Sequence, residues 1–444
     1  MQPDDRSYVP RWLRLAPFLG RPPALTRRQW RVLGLVAIVS LFEQYDLYLF
    51  SLNLKHIQAD LGIDESQLGL LGSVVRAGAL LAIFVTLAAD RVGRRRILLF
   101  TVIAYTGLTG ATALAPNATS FVALQFLARI FAAAETLIAV VVIAEEFDPE
   151  HRGWGIGALG AIQACGAGLA SVMFGFVDVL PFGWRALYLI GLGPLLLIAY
   201  LRRTLPETDR FVDLERVRHS SLRAAPMLQP VADLLRTYPR RFWALATVVF
   251  VLSAATNPAS FFAPKYLQDV HGWAPGWVAV LTFFGGGLAI VANPFAGWLS
   301  DRKGRRPVTI AFTFAVGLLA IAYYNAMGIF IPVLWILMLF THLGGEVTLA
   351  AYGAEMFPTS QRSTASGARS VAATSGGVAG LAMVSVLFGV VGSNWYAISL
   401  LCAVGFLAPL IVAATFPETA GRTLEEIAPE AETGAAALPS SLDT

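Results

Sequence analysis

The sequence predicts an all-α membrane protein: twelve transmembrane helices in two pseudo-symmetric six-helix bundles. Three observations predict it. The 444 residues are 56% hydrophobic and 14% charged, with mean hydropathy +0.63, whereas a soluble domain carries about 25% charged residues. A deficit spread over the whole length makes lipid the main solvent and excludes an ordinary cytosolic enzyme. Apolar runs of about 20 residues, each long enough to cross a bilayer, recur along the chain, and the alternating pattern of a β-barrel is absent. Finally, the chain repeats itself. Asp90-Arg91-Val92-Gly93-Arg94-Arg95 returns 211 residues later as Asp301-Arg302-Lys303-Gly304-Arg305-Arg306. Trp184, Glu135 and Pro206-Glu207-Thr208 return as Trp395, Glu346 and Pro417-Glu418-Thr419 on the same register, and Glu145 and Arg152 return as Glu355 and Arg362 at 210. Offsets that agree to within one residue at five places mean two copies of one module.

The elements follow in order. Residues 1–28 form an Arg-rich segment holding Arg6, Arg11, Arg14, Arg21, Arg27 and Arg28. The first bundle, 29–202, has spans near 29–52, 66–88, 96–115, 119–145, 153–176 and 184–202. A polar linker covers 203–240. The second bundle, 241–416, has spans near 241–264, 275–299, 307–327, 332–355, 364–391 and 394–416, and 417–444 is a polar tail whose Ala-, Glu-, Ser- and Thr-rich end, after 420, reads as disordered. Arginine concentrates in the first segment and in 89–96, 202–241 and 300–306, while 53–65, 177–183 and 265–274 hold few basic residues. The positive-inside rule therefore predicts that both termini are cytoplasmic. The net charge of +4 and pI near 9.1 then reflect loops facing anionic lipid rather than nucleic acid. Cys165 and Cys402 lie inside spans 5 and 12 with no metal spacing and no expected disulfide. The first apolar run starts too late for a cleavable signal peptide and is long enough to span. Lysine is confined to Lys55, Lys265 and Lys303; this Arg-heavy usage suggests a GC-rich bacterial genome, and hence an inner membrane.

The loop between spans 2 and 3, and its copy between spans 8 and 9, resemble the Gly-x-x-x-Asp-Arg-x-Gly-Arg-Arg motif of the major facilitator superfamily. The second copy is complete from Gly297 to Arg306; the first has Thr86 in place of the leading Gly. The resemblance covers about 29–427. A narrower one, to the sugar-porter and organic-ion branches, rests on Glu145…Arg152, Glu355…Arg362, Pro206-Glu207-Thr208 and Pro417-Glu418-Thr419. It implies a cytoplasmic gate of ion pairs, made by Asp90, Arg91, Gly93, Arg94, Glu145, Arg152, Glu207, Asp301, Arg302, Gly304, Arg305, Glu355, Arg362 and Glu418, that closes when the protein faces outward. Each exposed pair contributes only about 0–1 kcal/mol, so a gate needs several. The plainer reading of the same charges is anchoring at the inner face. The resemblance also implies that helices 1, 4, 7 and 10 line a central cavity.

An ionisable group inside a membrane helix is costly and marks a functional candidate. Helix 1 carries Glu43-Gln44-Tyr45-Asp46. Its two acids are three residues apart, about 60° around the helix, and so on one side. Burial and mutual repulsion favour the protonated form of such a pair, which suits it to carry a proton. The segment is similar to the Asp-Gly-x-Asp motif of aromatic-acid and metabolite proton symporters, with Glu for the first Asp and Gln for Gly. The alternative is a hydrogen-bond network that locks the helix. Asp46 corresponds by the repeat to Asn257 on helix 7.

Helix 4 carries Arg129, in a context that resembles the family's Arg-x-x-x-Gly with Ala133 for Gly. A buried guanidinium there either pairs with a helix-1 acid, Asp46 foremost, or holds a substrate carboxylate in a bidentate fork. Arg76 on helix 2 needs an acidic partner, and Glu43 is the nearest by depth. His342 and Glu346 on helix 10 are four apart and share a face; they form either a proton site or a structural hydrogen-bonded pair. Tyr45, Phe261, Asn257 and Gln163 complete the expected substrate set with Arg129, although aromatic residues in such helices more often serve packing.

Helix 5 is rich in small residues and lacks the Gly-Pro-x-x-x-Gly pattern of drug antiporters. No phosphate-binding loop and no hydrolase motif are present. The expectation is a monomeric secondary transporter without cofactor or metal, using protons and a small-molecule substrate: foremost a symporter of a small organic acid, with aromatic carboxylates among the candidates. A sugar or polyol carrier and a proton-coupled exporter of hydrophobic compounds are the alternatives.

Overall fold

The computed structural model describes residues 22–202 and 229–428, together with Pro10, Leu13 and Leu19. Twelve helices follow the predicted spans. In the first half they are α1 (Arg27–Leu52), α2 (Leu68–Val92), α3 (Arg94–Thr112), α4 (Ala118–Glu146), α5 (Arg152–Phe174) and α6 (Trp184–Arg202). In the second half they are α7 (Pro239–Asp269), α8 (Pro275–Lys303), α9 (Arg305–Asn325), α10 (Phe330–Glu355), α11 (Arg362–Val391) and α12 (Asn394–Thr415). Ten of these are long and apolar enough to cross a membrane, and α3 and α6 contribute shorter apolar stretches. The chain is a multi-pass, all-α membrane protein.

Local chemistry sets the helix ends. Thr26 and Gln29 form a capping box at the start of α1, Asn117 and Ser120 one at the start of α4, and Ser393 caps α12. The Arg-rich segments 89–96 and 300–306 are not open loops. Each is helix, a single glycine, then helix: Gly93 and Gly304 adopt φ +108° and +102°. Side chains other than glycine rarely take that backbone conformation, so the break falls at the same repeat position twice. The π-turn Leu281–Gly285 interrupts α8, and Pro258 and Pro264 lie inside α7, each removing one backbone donor.

Packing repeats as the sequence does. α1 lies along α5, and α7 along α11. Both seams depend on glycine. A Cβ on Gly166 would stand 1.9 Å from the Leu41 carbonyl oxygen, and one on Gly376 or Gly380 would meet the Phe250 or Ala254 carbonyl at 2.3 or 2.0 Å. Small residues thus let backbones touch where lipid supplies no hydrophobic drive between helices. Between the halves, α2 packs on α11, and its repeat counterpart α8 packs on α5.

The bonds that join the halves cluster at one end, the end without the Arg-rich segments. Ser51 donates to the Phe261 carbonyl (2.7 Å), Ser73 to that of Val378 (2.8 Å), and Lys55 to that of Gln268 (3.0 Å). Lys265 bonds Glu65 at 2.8 Å, and Asn394 bonds the same carboxylate at 2.7 Å. At the basic end, the described ion pairs run within a half: Arg28 with Glu146, and Arg305 with Glu355 at 3.0 Å.

Candidate functional site

The two acids of α1 have different surroundings, although three residues separate them. Asp46 is buried and accepts hydrogen bonds from Tyr105 (2.5 Å) and Thr109 (2.8 Å), both on α3; its second oxygen, Oδ1, has no partner. Glu43 is also buried. It accepts a bond from Arg129 Nη1 on α4 at 3.2 Å and another from Thr136, two turns further along α4. The expected Arg129–Asp46 pair is therefore replaced by Arg129–Glu43. The reason is local: two hydroxyls one turn apart on α3 already face Asp46, whereas Glu43 faces α4.

That pairing leaves Arg76 without the partner expected for it. Its Nε is inaccessible and makes no hydrogen bond. The charged neighbour that bears on it is Arg129, a like charge. Arg76 reaches across to the second half, where a Cβ on Gly377 would stand 2.6 Å from Arg76 Nε and 3.0 Å from Asn257 Nδ2. Asn257 donates to the Ser253 carbonyl at 2.9 Å. On α10, His342 lies within electrostatic reach of both Arg76 and Glu346, and its Nδ1 is buried without a partner. Glu346 bonds Arg369 of α11 at 3.0 Å rather than His342. Glu135, its repeat counterpart, is fully buried and accepts from Thr101 at 2.9 Å. A set of basic groups from α2, α4 and α10 thus converges between the halves. Sequence reasoning placed Arg129 and His342 there; Arg76 was seen, but not its facing.

The other expected substrate residues fall elsewhere in this state. Tyr45 is 1% exposed, and its hydroxyl donates to the Leu187 carbonyl at 2.9 Å, which places it in the packing between α1 and α6. Phe261 meets Phe50 edge-to-face at 5.1 Å at the joined end. Gln163 is half-buried on α5, with no side-chain hydrogen bond to the described residues.

At the basic end, the second half carries a compact charge network. Arg305 bonds Glu355 (3.0 Å) and Asp301 (2.6 Å), and Thr419 donates to Glu355 at 2.6 Å. Glu418 caps the start of α9, accepting from the backbone N–H groups of Arg305 (2.7 Å) and Arg306 (3.2 Å). Burial works against its ionisation, but bonds from the backbone N–H groups of Ala420, Arg305, Arg306 and Thr419 outweigh it and hold its carboxyl below the ordinary glutamate range. A cavity of about 290 Å³ opens beside this network. Arg302 lies over the Trp298 ring at 5.0 Å. Arg152 Nε donates to the Phe147 carbonyl at 3.1 Å and Arg362 Nε to that of Phe357 at 3.4 Å, one bond repeated on the 210 register. Glu145 is half-buried at the end of α4. Glu207 and the side chains of Asp90, Arg91 and Arg94 lie outside the described residues.

A two-fold repeated, membrane-spanning helical fold with charged groups buried between its halves is the architecture of a solute transporter. The chain belongs to the Major Facilitator Superfamily, whose family model matches residues 36–344 and 275–440. Among curated relatives, it is 24% identical over 429 residues to the niacin transporter NiaP of Acinetobacter baylyi (90% of this chain, 96% of that one). It is 26% identical over 396 residues to the 4-hydroxybenzoate transporter PcaK of Pseudomonas putida (81% and 86%). It is 27% identical over 357 residues to the cis,cis-muconate transport protein of Acinetobacter baylyi (76% and 83%). The inward open xylose transporter XylE from E. coli superposes with TM-score 0.70 at 18% identity, covering 90% of this chain and 99% of that one; at that identity it shares the fold alone.

Proposed function

We propose that this protein carries a small organic acid, such as an aromatic carboxylate, together with protons, by alternating access. The observation that carries the reading is the division of labour between the two α1 acids. Glu43 is neutralised by Arg129, whereas Asp46 is buried, faces only hydroxyl donors and has one oxygen unsatisfied. A carboxyl in that setting is poised to gain and lose a proton. The basic groups between the halves, Arg76, Arg129 and His342, suit an anionic cargo better than a neutral one. Relatives named for niacin, 4-hydroxybenzoate and muconate support the same class. Of the Pro-Glu-Thr motifs behind the sugar reading, the described one, Pro417-Glu418-Thr419, lies beside the end network, not beside these buried charges, and so says little about the cargo.

In this reading the basic end, with both termini, faces the cytoplasm of a bacterial cell, and the monomer is the working unit. The halves meet at the outer end, so the state is inward-facing. The network of Asp301, Arg305, Glu355 and Glu418, held within one half, forms part of a gate whose cross-half pairs form when the inner end closes.

The test is uptake into proteoliposomes of labelled nicotinate, 4-hydroxybenzoate, short carboxylates and hexoses, with the proton gradient set in either direction. Acid-driven accumulation of a carboxylate, abolished by Asp46→Asn, is the expected result. Gradient-independent hexose flux that survives Asp46→Asn overturns the reading.

A further inference from the structure

Arg76 is a half-buried cation that has no acidic partner among the described residues. Arg129 has Glu43 at 3.2 Å, Lys265 has Glu65 at 2.8 Å, and Arg369 has Glu346 at 3.0 Å. Arg76 has no such partner, its Nε is inaccessible, and the charge that bears on it is the cation Arg129. A half-buried cation without a counter-charge is disfavoured, so Arg76 is left to an anion that is not part of the chain. Gly377 lets the guanidinium and the Asn257 amide lie side by side against bare backbone: a Cβ there would stand 2.6 Å from Arg76 Nε and 3.0 Å from Asn257 Nδ2. His342 Nδ1 is a further buried atom without a partner in the same neighbourhood.

Position adds a second argument. Ser73, three residues before Arg76 on α2, bonds the Val378 carbonyl at 2.8 Å and belongs to the seal between the halves. Arg76 is therefore about one turn below that seal, at the blind end of the space between the halves. An anion there touches the first half through Arg76 and the second through Asn257, which is repeat-equivalent to Asp46.

We propose that Arg76, rather than Arg129, receives the carboxylate of the transported acid, with Asn257 beside it and Gly377 leaving room for both side chains. This rests on the organic-acid reading above. Arg129 is then the partner that keeps Glu43 in place. The ligand class is a monoanionic carboxylate with a flat or compact body.

The experiment measures equilibrium binding of labelled nicotinate and 4-hydroxybenzoate, with nicotinamide as the uncharged control, to the purified full-length protein. It also measures the midpoint of thermal unfolding with and without each compound. Arg76→Gln is expected to weaken carboxylate binding about 10- to 100-fold, the effect of losing a hydrogen bond to a charged group. Arg76→Lys recovers part of it, and Gly377→Ala, which crowds the guanidinium, weakens binding in the same direction. Without ligand, Arg76→Gln unfolds at or above the wild-type temperature, because an uncompensated charge is gone, and it loses the upward shift that the carboxylate gives the wild type. Carboxylate binding unchanged in Arg76→Gln, or a lowered unfolding temperature with the ligand shift intact, overturns the assignment and leaves the organic-acid reading standing. A wild-type protein that binds hexoses but none of the carboxylates overturns that reading and the assignment with it.

Discussion

Phe50 and Phe261 occupy the same position in the two repeats and touch each other, edge-to-face, at 5.1 Å. Residues related by a two-fold operation can meet only beside its axis, so this pair marks where the pseudo-axis passes through the joined end. Ser51, next to Phe50, closes the contact by bonding the Phe261 carbonyl. An edge-to-face aromatic pair adds about 0.5–1.5 kcal/mol beyond its buried area. Phe261→Ala removes the ring but keeps the carbonyl. It is expected to raise passive leak of substrate through the carrier severalfold, read as downhill efflux from loaded vesicles without a gradient.

Lys265 is 2% exposed, yet it bonds Glu65 across the halves at 2.8 Å and Asp269 within its own helix. Removing both acids strands a buried ammonium, at a cost of about 3–5 kcal/mol. Glu65→Gln with Asp269→Asn should therefore shift the protein toward the state in which this end opens. A cysteine placed at Ser385, with the native Cys165 and Cys402 replaced, reports it: labelling from outside by a membrane-impermeant maleimide should rise at least tenfold. Lys265→Met alone leaves only half-exposed acids behind, and labelling should change much less.

The Arg129–Glu43 pair is the natural subject of a double-mutant cycle. Arg129→Ala leaves a buried carboxylate with only Thr136 for support, and a loss of about 3 kcal/mol or more is expected. Glu43→Gln together with Arg129→Gln should cost less than the sum of the two single changes, by about 1–3 kcal/mol. Additive effects on the unfolding midpoint would show that the pair is not coupled.

Glu418 makes a prediction about acid. Its carboxyl sits below the ordinary range because backbone N–H groups favour the ionised form. A folded value below the unfolded one means that the stabilisation is complete above the unfolded value, and is lost as pH falls through the folded one. Glu418's contribution to the end network is therefore complete at neutral pH and is lost in acid. Glu418→Gln should lose that acid-dependent step in a stability–pH profile while unfolding earlier at pH 7. Gly304→Ala should resemble it, because a Cβ there would lie 2.6 Å from the Glu418 carboxylate on a backbone at φ +102°.

The repeat register carried most of what the sequence could say about the fold. It anticipated a repeated connection at 89–96 and 300–306, although as an open loop rather than the glycine break found at both Gly93 and Gly304, because a repeated module repeats its backbone requirements. It did not foresee the choice of partners inside the helices. The spacing of Glu43 and Asp46 put both on one side of α1, but not which neighbour each would face. Tyr105 and Thr109, four apart on α3, would have pointed to a shared acceptor had the packing of α3 been known. Arg76 was visible as an oddity, and Gly377 as one small residue among many. Their meeting depends on how two halves, 211 residues out of register, are set against each other, which no local spacing records. Ser51, Ser73 and Lys55 escaped notice for a different reason: each bonds a carbonyl, and a carbonyl has no side-chain signature.

That reliance on carbonyls has its own consequence. Phe261, Val378, Gln268, Leu52 and Glu65 all accept bonds across the halves through main-chain oxygens. At Val378 and Leu52, whose side chains make none of these bonds, a substitution replaces the side chain and leaves the acceptor where it was. Tolerance to sequence drift is thus built into those two contacts, whereas Phe261, Gln268 and Glu65 also act at the closure through their side chains. The donors Ser51, Ser73, Lys55, Gln268 and Asn394 are irreplaceable in kind, and they are the first places to look for intolerance in a saturation scan.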